Sequence, residues 1–268
     1  MTSINGAERA TVLMYHRVGT ATNEWERKYC VAPKQFSAQM QLLQAKGHHA
    51  CGIDDFVAWL DGKRALPQGA FVLTFDDGFL GVYEHARPVL AELGWPATVF
   101  LVSQLLGQCD VWTAAENRAG QMQPLLGLQH IKQMARQGFS FHSHTRHHAD
   151  LPTLDDGRLV DELAGARVDL QDLLGQSVPY IAYPYGRYDE RVRNAAIAAG
   201  YTAAFTVQPG FNRPGLDPYR VRRLDVWGTD RPAMLLRKMS LGTNDGSLVN
   251  SARYAITRAA VRLGWAAT

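Results

Sequence analysis

Apolar positions along this chain of 268 residues fall into two kinds of pattern, short continuous runs and longer stretches with a repeat of three to four. Short runs are typical of strands buried on both faces, and the repeats are typical of helices with one buried face. The runs occupy 11–18, 70–75, 97–102, 139–142, 179–183, 202–207 and 219–226. The helical repeats occupy 33–46, 53–60, 79–93, 128–136, 155–174 and 190–199. This alternation predicts an α/β fold, in which helices cover a parallel sheet.

Two segments between these elements carry neither pattern. Residues 19–28 are rich in polar side chains and are predicted to form a linker. Residues 103–126 form a long, glutamine-rich connection that contains Trp112. A connection of this length is more often functional than idle.

The C-terminal segment 247–265 is predicted to be an amphipathic helix outside the sheet. Its apolar residues recur at steps of three and four, and three arginines, at 253, 258 and 262, add positive charge. We expect the apolar side to pack against the rest of the fold. The alternative is weak contact with an anionic membrane surface through the arginines.

Composition narrows the class of protein. Hydrophobic residues make up 46% of the chain and charged residues 20%, which suits one large domain over 1–268 with a full core. Its core would span about 11–227, with a helical extension at about 230–268. A net charge of +3 without a basic stripe argues against nucleic acid. Three widely spaced cysteines give no disulfide framework.

The sequence also lacks the usual signals for membranes and export. It contains no run of eighteen apolar residues, so no transmembrane segment is predicted. Residues 1–10 have no apolar core of the kind found in signal peptides. We therefore expect a cytoplasmic location.

Candidate catalytic residues follow the second and fourth predicted strands. Asp76 and Asp77 close the second, and His144 and His148 follow the fourth at a spacing of four. Two imidazoles at this spacing can bind one ion if the segment turns helically, and Asp77 offers a third, anionic ligand. Three ligands with an open position are typical of a catalytic divalent-metal site, beside which Asp76 would act as general base. In the alternative, the carboxylates cap a helix and the histidines form a solvated loop.

The same residues carry a resemblance to a known family. Residues 74–78 (TFDDG) and 143–151 (SHTRHHADL) resemble the first two motifs of the polysaccharide deacetylases, also called NodB-homology or carbohydrate esterase family 4 enzymes. Residues 183–186 (YPYG) resemble the third motif more weakly, and a plain strand-ending turn is an equal interpretation of them. The resemblance runs in order from about 11 to about 227.

The resemblance implies a fold, an activity and a set of roles. The fold would be a distorted (β/α) barrel of about seven parallel strands, with a doubly wound open sheet as the alternative. The activity would be metal-dependent removal of N-acetyl groups from an amino-sugar-containing glycan or glycan precursor. Asp77, His144 and His148 would bind the metal, which would be zinc, with cobalt or nickel as substitutes. Asp76 would be the base, and the backbone N–H of Tyr185 would stabilise the oxyanion.

Two departures from the family pattern change the expected roles. Many members carry an arginine that pairs with the base at the position of Ala182, so Arg222 and Arg223 become the candidates, unless both lie on the surface. Many members also have a late histidine as general acid, whereas no histidine follows His148 here. His16, at the end of the first strand, is the candidate acid, and the alternative is a structural histidine. Its segment resembles the opening strand of exopolysaccharide and poly-N-acetylglucosamine deacetylases.

Three other functions fit part of this pattern. Two histidines and a carboxylate also form the site of non-haem iron enzymes, but that chemistry leaves Asp76 unexplained. A zinc protease is disfavoured because the residue directly after His144 is not a glutamate. A non-catalytic glycan-binding protein would explain the missing arginine and late histidine, although it would not require an intact metal set. Turnover of an N-acetylated sugar separates an enzyme from a binding protein.

Overall fold

The computed structural model describes residues 6–114, 121–253 and 256. Within them the strands are β1 (Thr11–Tyr15), β2 (Arg17–Val18), β3 (Cys30–Val31), β4 (His49–Ala50), β5 (Ala70–Phe75), β6 (Ala97–Leu101), β7 (Phe139–Ser143), β8 (Tyr180–Ala182), β9 (Ala203–Phe205) and β10 (Leu224–Asp225). The α-helices are α1 (Glu24–Tyr29), α2 (Pro33–Ala45), α3 (Ile53–Leu60), α4 (Arg87–Leu93), α5 (Leu128–Ala135), α6 (Asp156–Val160), α7 (Ala166–Leu174), α8 (Glu190–Ala198) and α9 (Pro232–Leu241).

Seven strands form one parallel sheet in the order β10-β1-β5-β6-β7-β8-β9, and β4 pairs with the beginning of β5. Five residues of β1 pair with five of β5, and five of β6 pair with five of β7. The predicted α/β fold with about seven parallel strands is therefore confirmed.

The sheet curls so that the segment after β9 contacts β9 at one end of the sheet and β1 at the other. Val221 bridges to Phe205 of β9 in parallel, and its carbonyl accepts the N–H of Thr206 at 2.9 Å. Three residues later, Leu224 and Asp225 pair with β1. The connection between the edge strands supports the distorted barrel over the open, doubly wound sheet.

Side chains on the strands alternate between two buried layers. Outward residues such as Leu73 and Phe141 pack against the helices in the largest hydrophobic cluster. Inward residues such as Val72 and Phe100 pack against α3 in a second cluster. Because both faces are buried, the strands are continuous apolar runs and not alternating ones. Tyr180 donates a hydrogen bond of 2.6 Å to Asp54 at the start of α3, which anchors this helix to the sheet.

Two predicted segments differ from the structure. Residues 19–28, expected to be a linker, include most of α1, whose N-terminus is capped by Asn23 accepting the N–H of Glu26 at 3.0 Å. The expected strand at 219–226 is shorter, because Pro218–Arg220 forms a 3₁₀ turn and only Leu224–Asp225 pairs with β1. The short α1 has too few apolar positions to show a helical repeat.

Only part of the predicted C-terminal helix is described. Residues 248–253 are helical, and the described side chains of Leu248 and Ile256 are exposed. The remainder of 247–265 lies outside the described residues, so its role stays a prediction, as does the cytoplasmic location. Among the described residues, no helix has the length and apolar character needed to cross a membrane.

Candidate metal and catalytic site

The six candidate residues line one cavity at the carboxyl ends of the strands. It has a volume of about 320 Å³. Asp76 and Asp77 follow β5, His144 follows β7, and the turn containing Tyr185 follows β8. The cavity is lined by His16, Asp76, Asp77, His144, His148 and Tyr185. Parallel strands of a barrel place their carboxyl ends on one side, and this is where barrel enzymes carry their chemistry.

Asp77, His144 and His148 form a group suited to a divalent cation. The Nε2 atoms of His144 and His148 lie 3.4 and 3.3 Å from Oδ1 of Asp77, and all three residues are buried. One ligand atom from each lies within 4.8 Å of the others. Oδ1 of Asp77 is buried without a hydrogen-bond partner, which is costly unless a cation compensates it. Two imidazoles and one carboxylate are donors that suit zinc with an open position.

The protonation of these groups follows from their mutual contacts. Burial opposes the charge of Asp77, but the neighbouring His144 and the charges of the nearby imidazoles outweigh it and lower the Asp77 pKa. Burial likewise opposes a charge on His144, yet the adjacent carboxylates of Asp77 and Asp76 raise the His144 pKa. Burial lowers the pKa of His148 to about 3. As the pH rises in the absence of a cation, His144 is therefore the last of these three residues to lose its proton.

The two histidine rings are oriented in different ways. Nδ1 of His144 donates to the carbonyl of Ala182 at 2.8 Å, which turns its Nε2 toward Asp77. The ring of His148 lies between two aromatic rings. Trp112 stacks on it with centroids 4.6 Å apart, and Tyr185 meets it edge-on at 4.6 Å. Trp112 belongs to the long connection at 103–126, so this connection contributes a side chain to the cavity.

Backbone strain is concentrated at the same place. Four non-glycine residues among those described have positive φ: Asp77 at 72°, Thr145 at 68°, His148 at 59° and Tyr185 at 58°. Such conformations persist only where surrounding contacts enforce them, and they cluster at functional sites. All four lie in the motif segments that close the cavity.

Arg223 pairs with Asp76, the contact that Ala182 cannot make. Its guanidinium donates to both carboxylate oxygens of Asp76, at 2.6 and 2.8 Å, and its Nε donates to the carbonyl of Thr206 at 2.8 Å. Arg223 is fully buried, whereas Arg222 is exposed. Burial favours a neutral Asp76, but Arg223 outweighs burial and lowers the Asp76 pKa. Of the two arginines that the sequence offers, Arg223 makes this contact.

Asp225 is a site residue that sequence reasoning missed. It lines the cavity with His16, and it pairs with Met14, two residues before His16 on the neighbouring strand. Its N–H donates to Oδ1 of Asn244 at 2.9 Å. Burial raises the Asp225 pKa, and the charge of His16 is first among the influences that oppose this shift. The only signal in the sequence was a carboxylate within the last apolar run.

The turn after β8 is fixed by a glycine. Pro184–Gly186 is a 3₁₀ turn, in which the N–H of Gly186 donates to the carbonyl of Tyr183 at 2.9 Å. At Gly186, with φ of 66°, a Cβ atom would lie 2.3 Å from the side chain of Val207. Glycine is therefore required, and the turn holds the backbone of Tyr185 at the cavity.

The comparisons with known proteins place the chain in a family. Residues 63–204, slightly more than half of the chain, match the family model of the polysaccharide deacetylases. The chain belongs to the polysaccharide deacetylase family. The resemblance of its motifs is thereby confirmed, and the family consists of hydrolases that act on carbon–nitrogen bonds other than peptide bonds.

Individual relatives agree with this assignment. YxkH of Bacillus subtilis is 27% identical over 215 residues, covering 80% of this chain and 70% of that protein. Poly-beta-1,6-N-acetyl-D-glucosamine N-deacetylase of Staphylococcus epidermidis is 27% identical over 212 residues, covering 75% and 69%. The structure of the Streptococcus pyogenes deacetylase PplD, solved with acetate, superposes with a TM-score of 0.74 at 24% identity, covering 86% and 98%. This last likeness supports the fold.

Proposed function

We propose that this family member is a divalent-metal-dependent N-deacetylase acting on an amino-sugar-containing glycan. One observation carries the proposal: the Asp77, His144 and His148 group lies in the same cavity as Asp76, which Arg223 holds through both oxygens. A water molecule would attack the acetyl carbon, the carbon–nitrogen bond would break, and acetate and a free amine would leave.

The metal-binding group would be Asp77, His144 and His148. The unpaired oxygen of Asp77 and the two facing Nε2 atoms fit a small divalent ion, and we propose zinc, with cobalt or nickel as substitutes. A bound ion of this kind supplies Lewis acidity, which polarises the acetyl carbonyl and lowers the pKa of water from 15.7 toward about 7.

Asp76 would accept the proton of the attacking water. Its lowered pKa keeps it ionised at neutral pH, as a general base must be. Arg223 uses one lone pair on each oxygen, and a carboxylate offers about four such positions, so an acceptor position remains. The two hydrogen bonds from Arg223 also fix the plane of the carboxylate.

His16 and Tyr185 would complete the reaction. His16 lies in the same cavity as Asp76, so we propose that it protonates the leaving amine. The backbone N–H of Tyr185 would stabilise the oxyanion. Loss of one such donor typically raises the barrier by about 2.7–4 kcal/mol.

Aromatic walls support a carbohydrate substrate. Trp25 and Tyr29 of α1 line the cavity together with Trp227 and Trp112, and rings of this kind present flat apolar faces to a sugar. The relative that deacetylates poly-beta-1,6-N-acetyl-D-glucosamine favours a glycan of this class. We therefore propose β-linked N-acetylglucosamine oligomers as the first substrates to test.

The test is release of acetate from these oligomers by the zinc-loaded protein. We expect turnover by the wild type, and an Asp76→Asn variant should bind zinc normally and lose most turnover, because an amide cannot accept the proton. Asp156→Asn, at a carboxylate with 89% of its side chain exposed, is the matched control and should keep full activity. Near wild-type rates in Asp76→Asn would place the base elsewhere. Oligomer binding without acetate release would favour the non-catalytic rival.

A further inference from the structure

The loop that carries both histidines is held in a strained conformation. Its first turn includes Thr145 and His148, both non-glycine residues with positive φ. Within the loop, the hydroxyl of Thr145 accepts the N–H of His148 at 3.1 Å. This contact ties the two strained residues to each other but does not fix the loop relative to the barrel. The backbone N–H groups of Ser103 and Gln104 donate to carbonyls of the loop at 3.0 and 3.1 Å, but the loop's own N–H groups need a further contact with an acceptor.

That contact is a buried carboxylate, Glu162. Its Oε2 accepts the backbone N–H groups of both Arg146 and His147, each at 3.0 Å. Its Oε1 lies 2.7 Å from Nδ1 of His147, whose side chain is about half-exposed. Glu162 is only 6% exposed, and the two amides it binds lie between His144 and His148. It therefore grips the middle of the loop and leaves the two imidazoles free to face Asp77.

Glu162 lies on an irregular part of its helix. A π-helical turn, Asp161–Gly165, separates α6 from α7, and such turns occur often at functional sites. Arg146 crosses this turn and pairs with Asp161 at 2.5 Å and with Asp169 at 2.9 Å. At Gly165 a Cβ atom would lie 2.7 Å from Nε of Arg146, so a larger residue there would displace the arginine side chain. The turn and the loop therefore fit closely together.

We propose that Glu162 is a positioning residue whose hydrogen bonds to the loop backbone bring His144 and His148 onto the same ion. The inference rests on the proposed metal site. The relevant property of Glu162 is the placement of its acceptor oxygens, because the groups it binds are backbone N–H donors and not the ion. Outer contacts that orient ligands in this way typically change metal affinity by about 10–100-fold when removed.

Three substitutions separate placement from charge. Glu162→Ala removes the acceptors, and we expect zinc affinity to fall by about tenfold or more. Glu162→Asp keeps the charge but withdraws the carboxylate by one methylene, so we expect a similar loss. Glu162→Gln loses the charge but keeps an oxygen that can accept both N–H groups, and we expect zinc affinity close to that of the wild type. Asp161→Asn is the matched control, since its partner is the side chain of Arg146 and not the loop backbone.

The measurement is zinc affinity of the metal-free proteins, by competition with a chromophoric chelator, together with their thermal midpoints without metal. If Glu162→Ala does not fold, Glu162→Asp carries the test. Wild-type zinc affinity in folded Glu162→Ala or Glu162→Asp would overturn the inference, as would the reverse order, with Asp tolerated and Gln not. Failure of the wild type to bind zinc would instead overturn the proposed function, and the inference with it.

Discussion

Replacing Arg223 with alanine tests how the candidate base is held. The substitution removes two hydrogen bonds to Asp76 and one to Thr206 from a fully buried position. The carboxylate of Asp76 then stays buried without a guanidinium to compensate its charge. Breaking a buried ion pair by removing one partner typically costs about 3–5 kcal/mol, so we expect a loss of this size in the free energy of unfolding at neutral pH. Arg223→Lys keeps the charge but not the two parallel bonds, so its stability should lie between that of the wild type and that of Arg223→Ala.

The pH dependence has a definite sign. In the wild type the Asp76 pKa is lowered, so its ionised form contributes stability above the unfolded pKa of about 3.9, and this contribution is lost as the pH falls through the folded pKa. Without Arg223, burial raises that pKa. The variant's deficit should therefore be largest at neutral pH and should shrink in acid, where the carboxyl group is neutral. If the ionised form of Asp76 bears a loss of about 3 kcal/mol in the free energy of unfolding, the Asp76 pKa of the folded variant should be about two units higher than in the wild type.

Urea unfolding at neutral and acid pH measures the stability, and the acid limb of kcat/KM reports the base. Arg222→Ala is the matched control, because this neighbouring arginine is exposed and should change stability little. Adding Asp76→Asn to Arg223→Ala should restore part of the stability, since it removes the buried charge, without restoring activity. A deficit below about 1 kcal/mol at neutral pH, the value typical of surface pairs, would refute this account of the site.

Three further predictions concern the rest of the site and the C-terminus. His144→Ala should lower both zinc content and activity, and full zinc occupancy in this variant would contradict the assignment of His144 as a ligand. In the wild type, zinc affinity should fall as the pH drops through the raised His144 pKa, since a proton then competes with the ion. His16→Ala should keep zinc and lower kcat by about 10²–10⁴-fold if it is the general acid, and an unchanged kcat would show that it is not. Truncation before Ser247 should reduce folded protein if the C-terminal segment packs on the fold; retained activity with lost binding to anionic vesicles would support membrane contact instead.

The candidate metal group was predictable because its signals are local. Asp77 follows a continuous apolar run, and His144 and His148 are four residues apart, so their convergence needed only parallel strands with a shared carboxyl edge. Their φ values were not predictable, since positive φ at His148 has no signature in an L-residue. The spacing suggested a helical turn, whereas the loop is strained and held by side chains distant in sequence.

The features of the site that could not be predicted depend on contacts between segments distant in sequence. Arg223 and Asp76 are 147 positions apart, and the sequence could reduce the choice only to two neighbouring arginines. Strand periodicity decides between them in principle, because neighbouring residues of a strand face opposite sides. The boundary of the last strand was placed too widely to use this argument. Glu162 gave no signal, and Asp225 gave only its place within an apolar run, since a single carboxylate on a helix or strand is usually solvated.

The arrangement of Arg223 bears on whether the site is catalytic or only binds glycan. The missing motif arginine and the missing late histidine were the features that favoured a binding protein, and Arg223, just before the last strand, supplies the charge of the first. Burying an arginine and Asp76 together costs desolvation free energy that a hydrophobic pair would avoid, so stability alone does not explain the pair. Binding a neutral sugar does not require it either. An ionised, oriented carboxylate beside a metal-binding group is what hydrolysis requires, and the same pair is unexplained by the chemistry of a two-histidine, one-carboxylate iron site.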